Sequence, residues 1–185
     1  MKKLAVLTFM LLFFVLGCST VAPLYNTDFN NISHLRGEKL NSVKVGSVKK
    51  DLQEKENVDY LTLRGGKYES PNGSFTAYLE DALKQELDDA RLLDSSSKIE
   101  VSAVLLKNML DGSGISIGIA EIEARFLVNK EGTLTYDKIM TASHTWESSF
   151  AGAIAIPRAH QNYPIVVQKL LGKLFTDPEF MAALR

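Results

Sequence analysis

Apolar residues recur along this chain with two different periods. From 75 to 90, Phe75, Tyr78, Leu79, Ala82, Leu83, Leu87 and Ala90 follow one another at helical spacing, which places them on one face of an amphipathic helix. Glu80, Asp81, Lys84, Gln85 and Asp88 fall largely opposite, and Ser70-Pro71-Asn72-Gly73-Ser74 supplies a turn and possible caps. A second stripe, Tyr163, Val166, Val167, Leu170, Leu171, Leu174 and Phe175, predicts a helix with Pro164 in its first turn. Asp177-Pro178-Glu179 then opens a short final helix, with Asp as cap and Pro at its first position.

Elsewhere the period is two. Val43, Val45 and Ser47 alternate with Lys44, Gly46 and Val48, which predicts a first strand over 42–48, and 58–63 reads as a short strand or irregular segment. Ile99, Val101, Ala103 and Leu105 share one face. Ala120, Ile122, Ala124, Phe126 and Val128 share another, and the turn Asn129-Lys130-Glu131-Gly132 leads into a third stretch. There Leu134, Tyr136, Met140, Ala142 and Trp146 line one side, with mostly polar residues between them. Around Gly118 the apolar parity shifts, the mark of a bulge or a strand entry. The pattern predicts an α+β fold: an antiparallel sheet of about four strands, arranged as a meander, with two amphipathic helices packed on one face.

Residues 19–41 mix Ser, Thr, Asn, Asp and Gly with isolated apolar residues and show no sustained period, which reads as a tether. The expected division is therefore a leader over 1–17, a lipidated tether over 18–41 and one domain over 42–185. The leader follows from the first residues. Met1-Lys2-Lys3 is basic, and 4–16 is apolar except for Thr8, too short to span a bilayer but suited to an export signal. The run ends in Val15-Leu16-Gly17-Cys18, and Cys18 is the single cysteine of the chain, so no internal disulfide can form. This segment resembles the lipobox of bacterial lipoproteins, with Leu16 where a smaller residue is commoner. The resemblance implies cleavage before Cys18, a diacylglycerol thioether on its sulfur and a further acyl chain on its freed amine. Ser19, where inner-membrane retention favours Asp, implies the outer membrane, with the domain in the periplasm. The alternative is an uncleaved membrane anchor with an incidental cysteine.

Charge adds little. The chain carries 21 basic and 22 acidic residues. Without Lys2 and Lys3 the basic count falls from 21 to 19, for a net charge of about −3. This is not the footprint of a nucleic-acid binder.

Candidate chemistry is sparse. Gly114-Ile115-Ser116-Ile117-Gly118 matches the nucleophile elbow of serine hydrolases, and Asp137 with His144 or His160 follows in hydrolase order. The elbow, however, needs a helix after its serine, and β-type alternation follows here. His34, His144 and His160 lack metal-type spacing. His144 shares the apolar parity of its strand and reads as a satisfied, half-buried side chain. Glu121 and Glu123 point the same way and read as a solvated sheet face. No catalytic residue, metal or cofactor is expected. Trp146 and the uncharged connection 150–157, with Phe150, Ile154 and Ile156, are the candidate contact for a partner, an envelope protein or lipid. Should the connection fold back over the end of the sheet, it is core instead, and that is the favoured reading.

The lipobox, the 75–90 helix, the strand series, Trp146-Glu147-Ser148-Ser149-Phe150 and the closing stripe together resemble the YajG-like family of small proteobacterial lipoproteins. The helix-plus-meander plan is also similar to auxiliary lipoproteins of envelope ABC transporters. The resemblance implies a soluble periplasmic domain tied to a membrane, and the expected anchor together with the lack of a credible active site makes the leading reading a non-catalytic, membrane-anchored envelope lipoprotein that binds a partner or supports envelope assembly. An auxiliary role in lipid or lipopolysaccharide transport is the second reading, and a serine hydrolase the third.

Overall fold

The computed structural model describes residues 19–51 and 57–185. The long alternating stretches form a four-stranded sheet from β2 (Lys44–Lys50), β5 (Ile99–Asp111), β6 (Ile117–Lys130) and β7 (Thr133–Glu147), in the order β2-β5-β6-β7. β5, β6 and β7 are the expected antiparallel meander, aligned so that Val101 faces Val128 and Val128 faces Tyr136. β2 pairs parallel with β5, so the sheet is mixed and not purely antiparallel. Parallel neighbours need a long crossover, and the chain between β2 and β5 supplies one.

That crossover supplies two of the three strands of a second, smaller sheet, of which the sequence pattern marked only the short segment 58–63. β1 (Ser19–Val21), β4 (Gly66–Glu69) and β3 (Leu61–Leu63) lie in the order β1-β4-β3, with β1 parallel to β4 and β3 antiparallel to it. Among the described residues four helices join the sheets: α1 (Phe29–Gly37), α2 (Phe75–Asp89), α3 (Gly152–Phe175) and α4 (Pro178–Ala183). The expectation of one sheet and two helices is thus corrected to two sheets and four helices among the described residues.

The core lies between the inner face of the large sheet and its helices. Val101, Ala103, Leu105, Ala120, Ile122, Ala124, Phe126, Val128, Tyr136 and Ala142 point inward from the strands, and all are buried. α2 presents the predicted stripe, capped by Ser74, whose Oγ accepts from the Ala77 N–H at 3.0 Å. α3 packs along β6 and β7, and α4 closes their far end. Where the small sheet meets the helices, aromatic rings fill the space. The Tyr163 ring lies 5.2 Å from Phe75, 5.6 Å from Tyr68 and 5.8 Å from Tyr78. Asn108 ties this cluster to the sheet: its Oδ1 accepts from the Tyr163 hydroxyl and its Nδ2 donates to the Val58 carbonyl, both at 3.0 Å.

Two further expectations are corrected. The segment read as a tether is folded from Ser19 onward, because Ala22, Tyr25, Asn31 and Leu35 find buried positions against α2, α3 and the small sheet. Cys18 lies outside the described residues. The connection read over 150–157 is the start of α3, which runs on through Pro157 and Pro164. Pro164 therefore stands in mid-helix, and each proline removes one backbone donor there.

Candidate functional site

The end of the large sheet where β6 begins and β7 finishes carries three chain segments side by side. They are the β3–β4 turn at Arg64-Gly65, the β5–β6 loop and the β7–α3 connection. Arg64 holds them together. From a backbone with φ of 54°, its guanidinium donates through Nη2 to the carbonyls of Ser149 and Gly114 (3.3 Å), and through Nη1 to that of Phe150 (3.4 Å). The Ser148 N–H donates to the Ser116 carbonyl at 2.7 Å, which extends the β6–β7 pairing past Glu147. Leu63 reaches across to Gly112 and packs there without room for a side chain at that position.

This framework displays an apolar rim. Ile115 is 74% exposed, Ile117 61%, Phe150 78% and Ile154 46%. Neither 112–120 nor 148–157 contains a charged residue, so two uncharged segments run next to each other. Of the expected contact residues, Phe150 and Ile154 lie on this surface. Ile156 is half-buried and packed against the core, and Trp146 is itself core, laid over Gly118 of the neighbouring strand. The connection is therefore neither wholly exposed nor wholly tucked away: α3 turns one side of it inward and leaves the other in solvent. Ile115 and Ile117 escaped notice as rim residues. Their signal was the parity shift at Gly118, which marks the entry of β6 and leaves the apolar residues before it without a covered face.

The Ser116 arrangement is not a nucleophile elbow. β6 starts at Ile117, so a strand stands where the elbow needs a helix. His144 is aligned with Ala120, about 13 Å along the strand from Ser116. Both its ring nitrogens are engaged. Nδ1 accepts from Lys169 Nζ at 2.8 Å, and Nε2 donates to Asn162 Oδ1 at 2.8 Å, an amide oriented by its own 2.7 Å bond to the Arg158 carbonyl. The ring is the half-buried, satisfied histidine that its parity suggested. His34 is exposed on α1. Glu121 pairs with Lys107 at 2.7 Å, and Glu123 accepts from Thr141 at 2.9 Å, on the outer face of the sheet. Among the described residues no three His, Cys, Asp or Glu side chains gather as a metal site.

The sequence reading missed one buried charge site. Glu86 lies on the apolar face of α2, fully buried. Its Oε1 accepts from the Tyr25 hydroxyl at 2.6 Å, the Asp28 N–H at 3.0 Å and Asn31 Nδ2 at 3.2 Å. Asn31 Nδ2 also reaches the Gln168 carbonyl on α3 at 3.1 Å. The carboxyl group thus fastens the N-terminal segment onto α2, and the Asn31 amide ties it on to α3. Burial pushes its pKa above the ordinary carboxylate range, against the lowering effect of those three donors. The helical spacing 79, 82, 83, 86, 87 was the available signal.

No protein-family model matches the sequence, and no curated protein matches it. Among solved structures, the fold is shared with a protein of Xanthomonas campestris described under the family DUF330. The TM-score is 0.57 at 14% identity, covering 85% of this chain and 95% of that one. A minor lipoprotein from Acinetobacter baumannii is also similar, at TM-score 0.44 and 11% identity, covering 76% and 92%.

Proposed function

We propose that this chain is a non-catalytic lipoprotein of the bacterial cell envelope. It is acylated on Cys18, held at the outer membrane, and meets a partner through the rim at Phe150 and Ile154. The observation that carries this reading is the place where the fold begins. Ser19, the residue after Cys18, is already the first residue of β1, paired with Lys67 of β4. A thioether on Cys18 would leave almost no spacer, so the whole domain would be kept at a membrane surface. Two or three acyl chains hold such a domain firmly where one does so only reversibly.

The kinship to YajG-like lipoproteins is part of the same proposal and rests on the order of elements. A transport role would need a lipid-sized groove between helices and sheet. That space is filled by Leu105, Phe126, Tyr163, Val166, Leu170 and Phe175, all fully buried, so the first reading is preferred. The test is fractionation of cells expressing the full chain. The native chain should sediment with outer membranes, and Cys18→Ser should move it to the soluble periplasmic fraction. Unchanged sedimentation of Cys18→Ser would overturn the proposal.

A further inference from the structure

We infer that the partner met by the apolar rim is the bilayer itself, so that the domain stands with the β6-entry end of its sheet against the lipid headgroups. The inference rests on the reading of Cys18 as the anchor and adds an orientation to it. Its ground is the juxtaposition of two features. β1 is parallel to β4 and in register with it from Ser19 opposite Lys67, so the chain enters the fold at the end of β4 that follows the Arg64-Gly65 turn. That same turn sends the Arg64 guanidinium to the carbonyls of Gly114, Ser149 and Phe150, the backbone of the rim.

The geometry leaves little freedom. One residue spans at most about 3.6 Å, so an acylated Cys18 lies within a few ångströms of Ser19. Neighbouring strands are about 4.8 Å apart, so Ser19 is two strand spacings from β3, whose Leu63 touches Gly112 at the base of the β5–β6 loop. Ile115, Ile117, Phe150 and Ile154 therefore flank the point where the lipid leaves the domain. The charges around them are of both signs, with Lys67 and Arg158 set against Glu69 and Glu147. The contact is accordingly one of apolar insertion at the headgroup boundary and not of attraction to anionic lipid.

The opposite end of the sheet supplies the control. Leu134, 49% exposed beside the β6–β7 turn, lies about 40 Å along the strands from Ile117.

The experiment uses the full acylated chain in vesicles of phosphatidylethanolamine and phosphatidylglycerol. Cys18 is occupied by lipid, so Phe150→Cys, Ile154→Cys and Leu134→Cys each offer a single thiol for a nitroxide. All three sites are exposed, which limits the effect on folding. Relaxation by dissolved oxygen should exceed relaxation by a water-soluble nickel chelate by about threefold or more at 150 and 154, with the reverse at 134, for side chains seated in the headgroup–acyl boundary. Nickel access at 150 and 154 equal to that at 134, in vesicle-bound protein, would overturn the inference and leave the anchor standing. Protection from both reagents would also overturn it, in favour of a protein contact or a second copy. A chain that does not bind vesicles at all would overturn the anchor and the orientation together.

Discussion

Gly118 and Trp146 face each other across the β6–β7 pair so closely that a Cβ on residue 118 would lie 2.4 Å from Cε2 of the indole. The contact is rigid on both sides, strand backbone beneath and a fused ring above.

Gly118→Ala is expected to destabilise the fold by about 1–3 kcal/mol through overpacking. Trp146 is the only tryptophan, so its fluorescence should shift with the displaced ring. In the double variant with Trp146→Leu the cost of Gly118→Ala should largely vanish, a non-additivity that denaturant titration of the four proteins measures. Additive costs would show that the two residues do not share this space.

Arg64 is the tie for three carbonyls on two segments. Arg64→Ala should cost about 1.5–3 kcal/mol, the range for hydrogen bonds to a charged group. Arg64→Lys should recover only part of it, because an ammonium lacks the planar fork that spans separate acceptors. Amide exchange gives the local readout. The Ser148 N–H, bonded to Ser116, should lose protection in both variants while the β5–β6 ladder keeps its own.

Glu86 gives the fold a pH dependence of definite sign. Its folded-state pKa lies above the unfolded value near 4.5, so between the two the native state holds more protons than the unfolded chain. Stability therefore falls as pH rises through that window, and is unaffected by this group well below it. Glu86→Gln keeps an acceptor for Tyr25, Asp28 and Asn31 and cannot ionise. It should flatten the decline, leaving Tm similar at pH 4 and higher than native at pH 8. A steeper decline in Glu86→Gln would mean that the carboxylate is favoured in place. Asn31→Ala, which removes the donor shared by Glu86 and Gln168, should lower stability by about 1–3 kcal/mol at either pH.

Much of the architecture was legible because long elements repeat their signal. The α2 stripe, the inward row of β6, that of β7 from Tyr136 onward and the Asp177 cap lie where the pattern put them, whereas Leu134, expected on the covered face, is exposed because the β6–β7 ladder shifts register between Val128 and Asn129. The losses have separate physical causes. β5 was read only to Leu105 because the ladder shifts register between Leu105 and Lys107, so the inward positions change from Ile99, Val101 and Leu105 to Asn108 and Leu110. Of the β3–β4 hairpin only the first strand shows, within the short segment 58–63, because strands of three and four residues hold too few alternations. Its turn also puts an arginine, not the usual Asn or Asp, before glycine at positive φ. The parallel pairing of β2 is a matter of chain path, on which side-chain period is silent. Pro157 disguised the first turns of α3, since a proline beyond the first turn argues against a helix. The N-terminal segment hid because it is held by Glu86 and scattered contacts and not by a stripe of its own. As for the rim, the uncharged run 148–157 flagged Phe150 and Ile154, while Ile115 and Ile117 become its neighbours through the β6–β7 pairing, the Ser148–Ser116 bond and the Arg64 contacts.

The most direct test of the account is the intact mass of the protein purified from membranes in detergent. The expected species begins at residue 18 and exceeds the mass of its peptide by a diacylglycerol group, with or without one further acyl chain. A chain that starts at Met1, or one that starts later with an unmodified Cys18 thiol, would contradict it.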